Sequence, residues 1–201
     1  MSTLPQLMNG NSLEHGIAMF VDHGGTSGTQ MHVGGQANAQ VAAGTSHENN
    51  ATETAMSSFT VPAGTLVAGS TIRLWAAGVV EDNNSTDTLT MFVRLGTSAT
   101  TASNEAVFTS TAVDVADSDI YCIHGMIQIR TAGTGGTAVA MFSFQDPDAT
   151  GTAPKWQYKA SFTVDTTSAN FLQISGDWSV AHADNEANSE MFVVDIVNPS
   201  T

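Results

Sequence analysis

The sequence predicts an all-β protein, a jelly-roll sandwich of about eight strands preceded by an extended, irregular N-terminal arm. Three observations carry this: short runs rich in Val, Ile, Thr and Phe, clusters of Gly, Pro, Asn and Asp between them, and the lack of a long stretch with apolar residues at helical spacing. We expect strands at residues 54–61, 71–77, 87–95, 106–113, 120–130, 137–145, 156–164, 171–178 and 190–197.

Alternation within these runs indicates sheets with one packed face. In residues 88–95 the odd positions hold Leu89, Met91, Val93 and Leu95, while Thr88, Thr90 and Arg94 occupy even ones. Successive strand residues point to opposite sides of a sheet, so the odd positions are expected in the core. Residues 62–64, 81–84 and 133–136 have the composition of tight turns between strands.

The first 52 residues have a different character. They contain no Lys or Arg, little periodicity, and small or polar clusters at residues 24–28 and 34–36. We therefore divide the chain into an arm, residues 1–52, and a jelly-roll domain, residues 53–201. Two short apolar runs interrupt the arm and are candidate docking residues: Ile17, Met19, Phe20 and Val21, then Met31 and Val33.

Charge and composition exclude several classes of function. The 201 residues include 5 Lys and Arg against 19 Asp and Glu, a formal charge of −14. So acidic a chain repels phosphate groups, and we expect no nucleic-acid partner. No run approaches the roughly 18 apolar residues of a membrane span, and residues 1–10 lack the pattern of a secretion signal. Because Cys122 is the chain's one cysteine, no intrachain disulfide or cysteine-based zinc cage can form.

Catalytic and cofactor motifs are missing from the sequence, which predicts a protein that is not an enzyme, with no catalytic residues, cofactor or metal site. Acidic turns around Asp114, Asp117 and Asp119, and at Asp146 and Asp148, have the composition of calcium loops. They lack the ordered glutamate and carbonyl ligands of such loops, so solvated turn acids are the simpler interpretation.

Aromatic residues on two strands lead to different expectations. Trp156 and Tyr158 share their strand parity with Phe162 and Val164, which predicts a core stripe rather than a platform for sugar stacking. Trp75 shares its parity with a charged residue and is expected to line an interface.

Cations are few, so their positions are informative. Arg73, Arg94 and Arg130 each interrupt an apolar strand on the face away from its main stripe. Each guanidinium could pair with an acid on a neighbouring strand or on a neighbouring subunit. His124 lies opposite an apolar stripe and is expected to point outward or into an interface. The interface candidates in the domain are therefore Arg73, Trp75, Arg94, His124 and Arg130.

The stretches FTVPAGTLVAGSTIRL at residues 59–74 and TDTLTMFVRLG at residues 86–96 resemble modules of tailed-phage virion proteins. Residues 129–136, 164–167 and 174–178 look like later parts of the same module. The resemblance covers about residues 59–197 and depends on the pattern of strands and turns. It implies a jelly roll, commonly trimeric, of the capsid decoration or cement type found on phage heads, including those of cyanophages. Its implied partner is the major capsid protein, and its implied location is the outer capsid surface.

Our expectation is a structural virion protein that forms a homo-oligomer, a trimer by the resemblance, and stabilises a phage head. Two alternatives remain open. One is a fibre or tail module that binds a receptor or glycan, since similar modules occur in such proteins. The other is a β-sandwich enzyme acting on glycosides, which needs two carboxylates across a cleft.

Overall fold

The computed structural model describes residues 30–32, 35–82, 86–145, 154–197 and 199. Apart from one turn of 3-10 helix at Thr101–Ser103, the regular structure in these residues is β. The strands are β1 (Gln30–His32), β2 (Gly35–Ala39), β3 (His47–Glu48), β4 (Thr54–Val61), β5 (Thr71–Glu81), β6 (Thr88–Gly96), β7 (Glu105–Thr109), β8 (Val113–Asp114), β9 (Asp119–Thr131), β10 (Gly136–Gln145), β11 (Lys155–Val164), β12 (Asn170–Trp178), β13 (Glu186–Ala187) and β14 (Met191–Val197).

Two antiparallel sheets form the sandwich. Sheet A has the order β1-β2-β14-β5-β9-β10-β11, with β13 pairing β3 and β5, and sheet B has the order β4-β12-β6-β7, with β8 beside β6. The chain crosses between the sheets repeatedly, as from β4 to β5 to β6. The predicted all-β sandwich is confirmed, and the nine predicted strands correspond to β4–β7, β9–β12 and β14 within a few residues.

The core lies between the two sheets and is built from one face of each strand. On β6, Leu89, Met91, Val93 and Leu95 are buried, as the alternation predicts. Full burial of an aliphatic side chain of this size contributes roughly 1.5–3 kcal/mol. The largest fully buried side chains elsewhere are Trp178, Tyr121, Phe142 and Phe144.

Two predicted turns contain a glycine in the left-handed region. Gly64 has a φ of 74° between β4 and β5, and Gly133 has a φ of 116° between β9 and β10. Glycine adopts these values without the steric cost that a Cβ imposes. The turns therefore follow from local composition.

Part of the predicted arm is hydrogen-bonded to sheet A. β2 pairs with β14, and β3 pairs with β13, so residues 35–39 and 47–48 extend the edge of the sandwich. Residues 1–29, which include the first apolar run, lie outside the described residues, as does Val33. Met31 lies in β1 opposite Gln36.

The expected core stripe on β11 is wrong for half of the strand. Phe162 is buried, but Trp156 and Tyr158 are 61% and 65% exposed. Between Ala138 and Ala140 the register on β11 advances by three residues instead of two, which is a β-bulge. One extra residue reverses the side-chain parity beyond it, so both rings point out of the sandwich.

Candidate functional site

A row of rings crosses the outer face of sheet A. Trp75 on β5 is directly opposite His124 on β9, and their ring centroids are 5.2 Å apart in a stacked arrangement. The ring of Trp156 on β11 meets His124 edge-on at 5.5 Å. Ser143 on β10 lies between them in the register and is fully buried, so its small side chain leaves room for the two rings to meet above it.

The next row along the same face adds flexible apolar side chains. Met126 is opposite Met141, and Met141 is opposite Tyr158. Met126 and Met141 are 46% and 43% exposed, and Trp75 is 51% exposed. We call the set formed by the two rows the aromatic face: Trp75, His124, Met126, Met141, Trp156 and Tyr158.

The aromatic face exposes contiguous apolar surface over four strands. Monomeric soluble proteins rarely leave such patches open unless they bind something. Rigid rings lose little conformational entropy on contact, and methionines adapt to irregular partners. The arrangement is therefore suited to binding by surface contact.

Cys122 lies one row from Trp75 on the same face, opposite Ala77. Burial raises the pKa of its thiol, and a hydrogen bond with Trp75 acts in the opposite direction. The thiol is half-buried, which leaves it within reach of small reagents.

The predicted interface candidates separate into two groups. Trp75, His124 and Arg73 lie together on the outer face of sheet A, where Arg73 is 3.6 Å from Asp195. Arg130 is exposed near the end of β9. Arg94 is elsewhere, on sheet B, in an ion pair within the chain.

Arg94 anchors a polar cluster on sheet B. Its Nε and Nη2 donate to the two carboxylate oxygens of Glu53 at 2.8 and 2.5 Å, and its Nη1 donates to the carbonyl of Asn104 at 2.8 Å. Ser175 Oγ donates to Glu53 Oε1 at 2.6 Å, and the guanidinium lies 4.8 Å from the Phe92 ring centroid. This planar, two-point pairing fixes the segment before β4 against β6 and β12.

Two ionisable groups near Glu53 are shifted by their surroundings. Burial lowers the pKa of His47, and the charge of Glu53 opposes that effect. Burial raises the pKa of Asp177, and the charge of Glu53 adds to it. Neither ring nitrogen of His47 has a hydrogen-bond partner among the described residues. The environment therefore favours neutral forms of both groups.

A small cleft of about 160 Å³ opens where the edges of the two sheets meet. Phe108, Ser110, Phe144 and Trp156 are among its lining residues. The edges are linked by Gln157, which accepts a hydrogen bond from the Thr109 amide at 2.9 Å, and by an ion pair between Lys159 and Glu105. Trp156 thus borders both this cleft and the aromatic face.

Sequence reasoning missed four members of the aromatic face. Met126 has the same parity as His124 and could have been assigned to the outer face, whereas Met141 needed the pairing of β10. Trp156 and Tyr158 were missed because composition gives no sign of the bulge.

In the part of the chain that the structure describes, no cluster of three or more His, Cys, Asp or Glu side chains is placed to hold a metal ion. No helix in the described ranges has the length and apolar character that crossing a membrane requires.

Neither a protein-family model nor a curated protein sequence matches the chain. Among solved structures, the chain is similar to "Structure of infectious bursal disease virus Gx strain", with 10% identity and a TM-score of 0.32, over 82% of this chain and 32% of that one. It is also similar to "Crystal structure of infectious bursal disease virus VP2 subviral particle", with 10% identity and a TM-score of 0.31, over 83% of this chain and 38% of that one. The chain thus spans about a third of the length of each.

Proposed function

We propose that this chain is a structural virion protein of the capsid decoration type, which forms a homo-oligomer and binds the major capsid protein on the outside of a tailed-phage head. The observation that carries the proposal is the aromatic face, a wide apolar surface with no cover among the described residues. A protein whose task is assembly needs such a contact surface and needs no active site.

The charge of the chain supports an external location. A head filled with DNA favours basic protein surfaces on its inside, because they neutralise phosphate. A chain with a formal charge of −14 is suited to the outside. The resemblance of residues 59–74 and 86–96 to tailed-phage virion modules supports the same placement.

Two surfaces have separate roles in this proposal. The aromatic face joins copies of the chain, and the apolar residues at positions 17–21, outside the described residues, bind the shell. Several arms on one oligomer would bind at high effective concentration, so individually weak contacts suffice.

Paired variants test the two roles in the full-length chain. Trp75→Ser combined with Trp156→Ser should lower the native mass in solution, and Val180→Ser, an exposed apolar residue on the segment that follows β12 in sheet B, is the matched control. Met19→Asp combined with Phe20→Asp should abolish co-sedimentation with phage heads that lack their decoration protein, while the native mass stays the same. A wild-type chain that is monomeric and does not bind heads would refute the proposal.

A second function, glycan binding by a fibre or tail module, is favoured by one observation. Trp156 and Tyr158 present exposed rings on one sheet face, and such rings stack on sugars. Affinity electrophoresis in gels containing host polysaccharide tests this function. Retardation of the wild-type chain that is lost in Trp156→Ala and Tyr158→Ala would favour a glycan-binding module over a decoration protein.

A further inference from the structure

Two methionines and a histidine form a triangle on the aromatic face. Met126 on β9 is directly opposite Met141 on β10, so their Cβ atoms are about 5 Å apart. His124 lies two residues before Met126 on β9, on the same face and about 7 Å along the strand. Because His124 is opposite Ser143, Met141 is its diagonal neighbour, and long side chains bridge that spacing. The ends of the three side chains can therefore meet above the sheet.

Each member of the triangle has a donor atom to offer. Met126 and Met141 are 46% and 43% exposed, and the rotatable bonds of methionine allow each sulfur to change position. No hydrogen bond joins a ring nitrogen of His124 to another residue that the structure describes. The donor set is thus two thioether sulfurs and one imidazole nitrogen, without a carboxylate.

Two indole rings hold the imidazole of His124 in place. Trp75 stacks on it with a centroid distance of 5.2 Å, and Trp156 meets it edge-on at 5.5 Å. Trp75 is on β5 and Trp156 is on β11, so the two rings flank β9 from opposite sides. A histidine binds a metal better when its neighbours fix the orientation of its ring. The imidazole is therefore presented in a defined orientation.

The cationic side chains around the triangle are compensated or distant. Arg73 is opposite Met126, but its Nη1 is 3.6 Å from Asp195 on β14, on the side of β5 away from β9. Lys159 on β11 is paired with an acid of sheet B. Arg130 is four residues from Met126, about 13 Å along β9, which exceeds the screening length of about 8 Å at physiological salt. The formal charge of −14 attracts cations to the chain as a whole.

The donor set selects one class of metal ion. Thioethers are soft ligands that favour Cu(I), whereas Ca²⁺ and Mg²⁺ take oxygen ligands. Structural zinc sites are built from cysteine, histidine and carboxylate side chains. Among the residues that the structure describes, no three His, Cys, Asp or Glu side chains are grouped for such an ion. Two thioethers and an imidazole therefore match a soft monovalent cation.

We propose that His124, Met126 and Met141 form a binding site for Cu(I), in which one imidazole nitrogen and two thioether sulfurs are the ligands. The site goes beyond the proposed function and does not depend on it, because all three ligands belong to one chain. The cation binds and leaves without transfer of an electron.

Cys122 has to be separated from the triangle, because a thiol also binds Cu(I). It lies on the same face of β9, two residues before His124 and thus on the side away from Met126. The experiments therefore use the full-length chain with Cys122→Ser as the background. Silver nitrate in chloride-free buffer supplies the probe Ag(I), which has the charge and softness of Cu(I) and is stable in air.

Calorimetric titration measures the contribution of each ligand. The Cys122→Ser chain should bind one Ag(I), and Cu(I) kept reduced with ascorbate should compete for it. Met126→Leu, Met141→Leu and His124→Phe should each raise the dissociation constant at least about tenfold, while keeping an apolar side chain of similar size. Met191→Leu is the matched control, because Met191 is 39% exposed on β14 of the same face but lies outside the triangle. It should leave the dissociation constant unchanged.

Methionine methyl groups labelled with ¹³C provide a second readout, which a general effect on stability does not imitate. Ag(I) should shift the methyl resonances of Met126 and Met141. The resonances of Met191 and of Met56, which is buried in the core, should stay in place.

Several results would overturn the inference. One is Ag(I) binding that is present in the wild type and absent in Cys122→Ser, which would assign the cation to the thiol alone. Others are equal dissociation constants in Met126→Leu and Met191→Leu, a failure of Cu(I) to compete, or methyl shifts at Met191 as large as those at Met126. Binding of Zn²⁺ as tight as that of Ag(I) would contradict the soft donor set.

Discussion

The ion pair of Arg94 and Glu53 shows that the contribution of an arginine to stability depends on how deeply it is buried. Their side chains are 14% and 8% exposed, and two parallel hydrogen bonds join them. Arg73, which has the same side chain on another strand, is 60% exposed and 3.6 Å from its acid. Removing one partner of an enclosed pair leaves the other charge without compensation, whereas an exposed pair contributes little.

We expect Arg94→Ala to lower the free energy of unfolding by about 3 kcal/mol, because Glu53 would stay enclosed without its counter-charge. Arg73→Ala, the matched control, should cost less than about 1 kcal/mol. Urea denaturation of the two variants at neutral pH measures both values. Equal losses in the two variants would contradict the enclosed pairing.

His47 makes the fold sensitive to acid. Burial lowers its pKa below the ordinary value of 6.5, so below pH 6.5 the unfolded chain takes up a proton before the folded chain does. The contribution of neutral His47 to the free energy of unfolding is therefore fully present above pH 6.5, and it is lost as the pH drops toward the lowered pKa. His47→Leu should flatten the dependence of unfolding free energy on pH over this range.

His182, whose side chain is 41% exposed, supplies the control for that experiment. His182→Leu removes an imidazole from the surface, so it separates the effect of enclosure from the effect of losing a histidine. The same slope in His47→Leu as in the wild type would show that the acid sensitivity arises elsewhere.

At the scale of elements, one extra residue in β11 decides on which side of sheet A its aromatic rings lie. On the C-terminal side of the bulge Phe162 points into the core, and on its N-terminal side Trp156 and Tyr158 point outward. A bulge disrupts the pairing locally and reverses the side-chain parity of one side of the strand relative to the other. The aromatic face exists on this strand because of that insertion.

The bulge leads to opposite expectations for two aromatic residues on β11. Phe162→Ala should lower the free energy of unfolding by about 3 kcal/mol, because it leaves a cavity in the core. Trp156→Ala should change it by no more than about 0.5 kcal/mol in the monomer, since the ring is mostly exposed. Thermal and urea unfolding at low protein concentration measure both. A large loss of unfolding free energy for Trp156→Ala would show that this ring packs in the core.

At the scale of the whole molecule, the sandwich joins strands that are distant in the chain. β4 pairs with β12, and β5 pairs with both β9 and β14. These pairings close long loops before they bring any stabilising contact, and the entropy of loop closure opposes them. The core therefore forms cooperatively across the chain.

This topology predicts slow folding. We expect refolding from urea with a time constant on the order of milliseconds to seconds, as in other sandwiches dominated by distant contacts. Stopped-flow fluorescence reports this through Trp178, which is buried in the core. Complete refolding within microseconds would contradict the dependence on distant pairing.

Local sequence pattern was sufficient for most of the elements. Alternation marked β6 as a strand with a buried face of Leu89, Met91, Val93 and Leu95, and glycine marked the turns at Gly64 and Gly133. These features depend on neighbouring residues, so they can be read from the chain in order. The same reasoning placed Trp75 and His124 on outward-facing positions.

The candidate site depended on tertiary structure. Trp75, His124 and Trp156 come from three strands, and only the pairing of those strands brings their rings together. The neighbouring positions of Glu81, Glu186 and Glu48 likewise depend on three separate segments, two of them only two residues long. The resemblance to tailed-phage virion proteins, the division at residue 52 and the trimer stay predictions.

The sequence by itself determined the all-β class, the positions of the strands, the net negative charge and the outward direction of several side chains. The tertiary structure decided which strands are neighbours, where Arg94 is enclosed, and on which side of β11 the rings lie. Strand formation follows from local alternation, but strand pairing and bulges depend on the energy of distant contacts, which no short stretch of residues contains.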